Sequence, residues 1–253
     1  MAIAWQTDHQ PVTLAPHPQR PTHPPNHDGQ IIPTSSSLFT CVVRSMITLD
    51  IIRKALHLPN FNAQQAQETM APHPRGMLPE NRDKPIKEAG VLGLVYPDVV
   101  GYSIILTRRT DHLGTHSGQI SFPGGKKDPQ DADFIATALR ETCEELGVCD
   151  DEITILGKLN HFYIPPSHFT VYPTIGSVAY KPTCFPNPHE VAEVIYFPLA
   201  ELLNPHIKGV DEAEMRGVKI RLPYYLFGEH KIWGATAAML GELEQRLRAA
   251  MKD

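Results

Sequence analysis

The chain has 253 residues, of which 42% are hydrophobic, 20% charged and 8% aromatic, enough apolar material for one large domain or two small ones and too much for a chain disordered throughout. Its 28 acidic residues outnumber 23 basic ones, and the formal net charge of -5 argues against the sequence-independent attraction to phosphate backbones that underlies most nucleic-acid binding. No run reaches the roughly 18 to 20 apolar residues of a membrane helix, and no basic start with an apolar stretch opens the chain, so the sequence reads as soluble and cytoplasmic, with neither membrane nor nucleic acid as a partner.

The first 46 residues crowd Pro11, Pro16, Pro18, Pro21, Pro24, Pro25 and Pro33 with His17, His23 and His27. Such a stretch has little to bury and is expected to be a disordered extension with polyproline character. At Thr48 the character changes: a capping hydroxyl precedes Leu49, Ile52, Ala55 and Leu56 at three- and four-residue spacings, which predicts a helix. A domain over residues 47–253, with a core from about 88 to 250, is expected to start here. On this reading the residues before Thr48 are dispensable, and a frame opened at Met46 begins where foldable sequence starts.

Asn60 to Glu88, rich in Gln, Asn and Pro, reads as a loop. Val91–Tyr96 and Tyr102–Thr107, parted by Pro97 and Gly101, predict a strand, a turn and a strand; further strands are expected at Gln119–Phe122, Ile153–Phe162, Thr170–Val178, Val191–Phe197 and Lys219–Leu222. A helix over Ala132–Leu146 repeats Ile135, Leu139, Thr142 and Leu146 on one face and stops at Gly147; a last helix over Ala235–Ala250 repeats Met239, Leu243 and Leu247. The fold class expected is α/β (α+β), a mixed β-sheet between helices. Cys41, Cys143, Cys149 and Cys184 show no CxxC spacing and are read as four unpaired thiols.

The sharpest chemical signal is Glu141, Glu144 and Glu145, at helical offsets zero, three and four, read as lying opposite the apolar stripe. Like charges at a helix C-terminus repel each other and oppose the macrodipole; a hard divalent cation, Mg²⁺ or Mn²⁺, relieves both and also suits phosphate oxygens. Upstream, Gly124 and Gly125 have no side chains, so the backbone can turn sharply there.

Ser121 to Val148 reads SFPGGKKDPQDADFIATALRETCEELGV. It resembles the Nudix hydrolase signature, a Gly, five residues, a Glu, seven residues, then REUxEExGU with U apolar. Arg140, Glu141, Glu144, Glu145, Gly147 and Val148 match the right half, with Thr142 at the first U. The left half departs: counted from Gly125, Asp131 replaces the first Glu, and eight residues separate it from Arg140. The coenzyme A diphosphatase branch of the family is similar in that altered half and in a preceding motif, here ILTRRTDHLGTHSGQISFPGG from Ile105 to Gly125. Arg109, Leu113, His116, Gly118, Gln119 and Phe122 to Gly125 match, while Thr110 replaces a common Ser and Gly114 a frequent Arg. Weaker matches in NPHEVAEVIYFPL and KIWGATA extend the resemblance over Val91 to Leu247.

The resemblance implies a Nudix fold and metal-dependent hydrolysis of the diphosphate bond of coenzyme A, or of an acyl-CoA, to 4'-phosphopantetheine and adenosine 3',5'-bisphosphate. It implies Glu141, Glu144 and Glu145 as ligands of Mg²⁺ or Mn²⁺ and Arg140 as a clamp on one of them. Glu144 or Glu190 is the candidate general base; Gly124, Gly125 and Lys126 face the substrate, and Arg109 and His116 face it or brace the glycine loop, a hydrogen-bonded core histidine being the other reading of His116. Another nucleoside diphosphate derivative such as ADP-ribose or NADH, or a silent nucleotide-binding module, is the competing reading. Oligomeric state is not legible.

Overall fold

A computed structural model describes residues 47–75, 85–99, 101–110, 118–215 and 218–252. The Pro- and His-rich extension, Cys41 and His116 lie outside the described residues.

The first helix, α1 (Leu49–Leu56), starts where the sequence places it: Thr48 Oγ1 accepts from the Ile51 N–H at 3.3 Å, and Ile52, Ala55 and Leu56 are buried. The stretch read as a loop contains a second helix, α2 (Ala63–Glu68), capped by Asn62. Six residues, half of them Gln, offer no apolar period. What holds them is tertiary: buried Gln67 donates to Glu242 at 2.8 Å and to the Asn160 carbonyl at 2.8 Å.

The main sheet is built from β1 (Lys87–Pro97), β2 (Tyr102–Arg109), β3 (Ile120–Ser121), β4 (Gly124–Lys126), β5 (Thr154–Lys158), β6 (Phe162–Ile164), β7 (Phe169–Ser177) and β8 (Val191–Pro198). It is mixed: β1 runs parallel to β7 from Lys87 to Val95 and antiparallel to its other neighbours. Along β1 the side chains alternate. Leu92, Leu94 and Tyr96 join the cluster with Ala138 and Leu146, while Val91 and Val95 face the larger cluster with Met239 and Leu243. Helices α3 (Phe134–Leu146) and α4 (Gly234–Ala250) thus cover opposite faces, and α1 packs beside α4.

One irregularity positions the site. β1 keeps beside β2 only from Val95 to Pro97. Further along, β4 takes the place beside β1, at Ala89 to Val91, and β3 the place beside β2, at Thr107 and Arg108. The two central strands splay, and the loop of residues 120–126 fills the fork.

The expected strand Ile153–Phe162 is two strands, β5 and β6. The expected strand at Lys219–Leu222 is part of β10 (Val218–Phe227), which runs through Pro223 at the centre of a separate antiparallel sheet, β11-β10-β9, with β9 (Lys208–Met215) and β11 (His230–Trp233). Pro223 has no N–H to donate to the ladder, yet the strand continues past it.

Two further readings are corrected. The buried face of α3 carries Thr137, Ala138, Thr142, Glu145 and Leu146, so Glu145 points inward and Ile135 and Leu139 are only half-buried. Cys143 and Cys149 form a disulfide with Cα atoms 4.5 Å apart, while Cys184 is a free thiol. Gly147, at φ 69°, ends α3 in the left-handed conformation and folds the chain back, so Cys149, six positions after Cys143, meets the helix's last turn.

Candidate active site

The loop Gly124–Gly125 and the C-terminal half of α3 face each other where the sheet splays. Gly124 has φ 147°, and a side chain there would meet the Gly90 carbonyl at 2.4 Å. Its N–H donates to Glu145 Oε2 at 3.2 Å. A Cβ on Gly125 would lie 2.4 Å from the Glu141 carboxylate, so this glycine is what lets backbone and acid approach each other.

Glu145 is 3% exposed, and burial pushes its carboxyl up to about 7; Glu190 and Glu141 add like charge, while the Gly124 N–H and Arg109 oppose the shift. Arg109 Nη1 stands 3.7 Å from Glu145 Oε1. Burial also raises the Glu141 carboxyl against the pull of Arg140, with Glu144 and Glu190 reinforcing it.

Arg140 is the hub of the outer side. Its Nε and Nη2 donate to the two oxygens of Asp131, each at 3.0 Å, a paired geometry that fixes the guanidinium plane. The same group reaches Glu141 at 3.0 Å and Glu144 at 3.0 Å, and donates to the Lys126 carbonyl at 3.3 Å. Asp131 is buried and held well below the usual carboxylate range, first by Arg140, with the Asp128 N–H and the Thr137 hydroxyl assisting. The shorter acid at the altered position of the motif is thus the anchor of the arginine, a role that sequence reading left unassigned.

Glu190 arrives from the segment before β8. That segment is tied to the end of α3 by the Phe185 N–H to the Leu146 carbonyl, 2.7 Å, and the Asn187 N–H to the Glu145 carbonyl, 2.8 Å. The Glu190 carbonyl accepts from the Thr110 N–H at 3.0 Å, fixing its backbone to the end of β2.

Arg109, Gly124, Gly125, Lys126, Arg140, Glu141, Glu144, Glu145 and Glu190 therefore share one locality, and His116 lies outside the described residues. Among the described residues no three acids or histidines converge as a ready coordination cluster. Glu141 and Glu144 are drawn to Arg140 and Glu145 to Arg109. The donor set still fits a hard divalent cation, since the acids supply carboxylate oxygens and two are raised in pKa by burial and mutual repulsion.

A cavity of about 1160 Å³ opens at Arg109, Gly124, Gly125 and Lys126 and extends between the two sheets. Its walls from β6, β7, β10 and β11 carry no motif that the sequence reading singled out.

The NUDIX domain family model matches residues 87–216, just over half of the chain. The chain belongs to the Nudix family. Among its Nudix relatives is a hydrolase, NudL, of Photorhabdus laumondii, 35% identical over 146 residues that make up 58% of this chain and 78% of the relative. The mitochondrial coenzyme A diphosphatase NUDT8 of Homo sapiens is 42% identical over 142 residues, 54% of this chain and 59% of that protein. The solved MutT protein of Methanosarcina mazei aligns over 68% of this chain and 99% of its own with TM-score 0.44 and 19% identity. The protein is thus a Nudix hydrolase, an enzyme acting on diphosphates. Among the described residues no helix is long and apolar enough to cross a membrane.

Proposed function

We propose that this Nudix enzyme hydrolyses the diphosphate bond of coenzyme A and its acyl thioesters, releasing 4'-phosphopantetheine, or its acyl form, and adenosine 3',5'-bisphosphate. The observation that carries the reading is the glycine loop, pressed against buried Glu145 and half-buried Glu141 beside a large cavity. The name of the human relative supports the choice of coenzyme A, as does the Ile105 to Gly125 motif.

In this proposal Glu141, Glu144 and Glu145 hold Mg²⁺ or Mn²⁺. When bound, the ion offsets the charge of the phosphate oxygens and makes a water acidic enough to supply hydroxide near neutral pH. Arg140, fixed by Asp131, orients Glu141 and Glu144. The Gly124–Gly125 backbone lies along the diphosphate, with Arg109 and Lys126 contributing positive charge. Glu190, with Glu144 as the alternative, takes the proton of the attacking water; its proximity to Glu141 and Glu145 supports that assignment. Lys127 is committed to the Asp131 carbonyl at 2.7 Å, which leaves Lys126 and Arg109 as the cations for a 3'-phosphate.

The test incubates the protein with Mg²⁺ or Mn²⁺ and coenzyme A, an acyl-CoA, NADH or ADP-ribose, and identifies the products by mass. Adenosine 3',5'-bisphosphate from coenzyme A is the expected result. Turnover of only NADH or ADP-ribose would overturn the substrate, and no turnover of any of the four would overturn the activity.

A further inference from the structure

Arg75 precedes the span matched by the family model, yet it lines the cavity that opens at Gly124 and Gly125. Its segment is fixed beside β10: the His73 N–H donates to the Arg221 carbonyl at 3.0 Å, and the Arg221 N–H donates to the His73 carbonyl at 2.8 Å. The guanidinium lies over the Phe162 ring, 4.2 Å from its centroid, and donates from Nη2 to the Tyr163 carbonyl at 2.6 Å. We infer that Arg75 is a specificity residue that takes a phosphate monoester, the 3'-phosphate of coenzyme A, on the side of the cavity opposite the glycine loop. The inference rests on the proposed function, which counts Lys126 and Arg109 as cations open to that phosphate, and adds the one that selects for it.

Two observations point to an anion at this place. Arg75 is half-buried, and among the described residues its nearest acid, Glu68, acts on it only from beyond ion-pair distance; burial outweighs that pull and lowers the guanidinium pKa. The bond to Tyr163 leaves most of its fork of N–H donors for a group with several acceptor oxygens. Ser167, on the same lining between β6 and β7, holds a hydroxyl that is buried with no hydrogen-bond partner among the described residues, which costs free energy until an acceptor arrives. In the inferred complex a change of its χ1 well turns that hydroxyl to the ligand. A neutral amide of the pantetheine arm would meet these donors but leave the half-buried charge uncompensated. The anions of coenzyme A are its diphosphate, held at the glycine loop, and its 3'-phosphate. The sheet sets the separation of the two. Lys126 pairs with Ala89, Ala89 with Val171 and Val171 with Phe162, so one row of residues crosses β4, β1, β7 and β6 along the cavity. Three strand spacings put the ends of that row about 14 Å apart, a gap that the ribose between a 5'-diphosphate and a 3'-phosphate spans once Arg75 reaches in from the Phe162 end.

The experiment measures kcat/KM for coenzyme A and 3'-dephospho-coenzyme A with wild type, Arg75→Gln and Arg75→Lys. Wild type should favour coenzyme A at least about tenfold, as expected of charge-assisted hydrogen bonds to one phosphate. Arg75→Gln should bring that ratio near one by slowing coenzyme A alone; 3'-dephospho-coenzyme A, which has nothing for Arg75 to hold, reports an intact fold and reaction. Arg75→Lys keeps the charge without the fork, should fall between, and decides the question if the glutamine variant does not fold. Equal kcat/KM for the two substrates in wild type, or a preference that survives undiminished in the variants, overturns the inference while leaving the proposed reaction standing. If neither substrate is cleaved, the proposed reaction fails and calorimetry decides the site separately: tighter binding of adenosine 3',5'-bisphosphate than of adenosine 5'-phosphate, lost in Arg75→Gln, sustains it, and equal binding overturns it.

Discussion

Glu145 is an acid that burial keeps from ionising easily. Its folded-state pKa, pushed up to about 7, lies above the unfolded value, so its contribution to stability is complete below about pH 4.3 and is lost as pH rises through about 7. In chelator the protein should therefore lose stability, on the order of 3 kcal/mol, between about pH 5 and pH 8. Glu145→Gln should flatten most of that slope and raise the melting temperature at pH 8 while lowering kcat about 10² to 10³-fold, because an amide keeps the shape but loses the charge. Thermal melts at the two pH values check the first statement; an unchanged slope in the variant would place its origin in another group. Glu141→Gln should lose a similar factor in kcat with its fold intact, as steady-state rates beside a circular dichroism spectrum would reveal.

The helix α3 and the loop before it act as a pair, and a Gly125→Ala substitution tests the pairing. A methyl 2.4 Å from the Glu141 carboxylate must push loop and acid apart, and a displacement of about 1 Å in a catalytic arrangement costs about 10²-fold in rate. The expected result is a folded enzyme with kcat reduced by that order; near-normal turnover would mean that the loop and Glu141 do not need their close approach. At this scale the sequence is legible wherever one element's own residues decide its state, as with the Thr48 cap, the Gly147 stop and the apolar runs of β1 and β2. It is silent where the decision lies elsewhere in the chain. Gln67 anchors α2 to the domain only because Glu242 and Asn160 wait for its amide. Glu145 faces inward because Gly124 offers an N–H and Arg109 a charge. The cavity wall has no motif because an apolar surface asks only for size, and Leu222 or Trp233 carries the same letter in a core as in a binding site.

Across the molecule, Glu242 binds distant segments together: fully buried, it pairs with Arg246 at 2.8 Å and accepts from Gln67 and from the Asn160 N–H. Glu242→Leu leaves Arg246 without its counter-charge and should cost about 3 to 5 kcal/mol, measurable by denaturant melts, whereas replacing Glu242 and Arg246 together with apolar residues should recover much of it. The N-terminal boundary can be tested in the same way. A chain starting at Met46 keeps Ile47, 2% exposed, and the Thr48 cap, and is proposed to match the full chain in stability within a few tenths of a kcal/mol and in diphosphatase rate. One starting at Leu49 loses both and should be destabilised by about 2 to 3 kcal/mol; a drop of several degrees already at Met46 would mean that the extension packs on the domain. The bond from Lys54 Nζ to the Ala250 carbonyl, 3.0 Å long, joins residues 196 apart in sequence. Each doubling of a closed loop adds only about 0.6 kcal/mol of entropy, so the contact is affordable once formed, but it rewards the chain only after α4 has found the sheet. Docking of α1 onto α4 is therefore expected among the last steps of folding, and substitutions at that seam should speed unfolding more than they slow refolding.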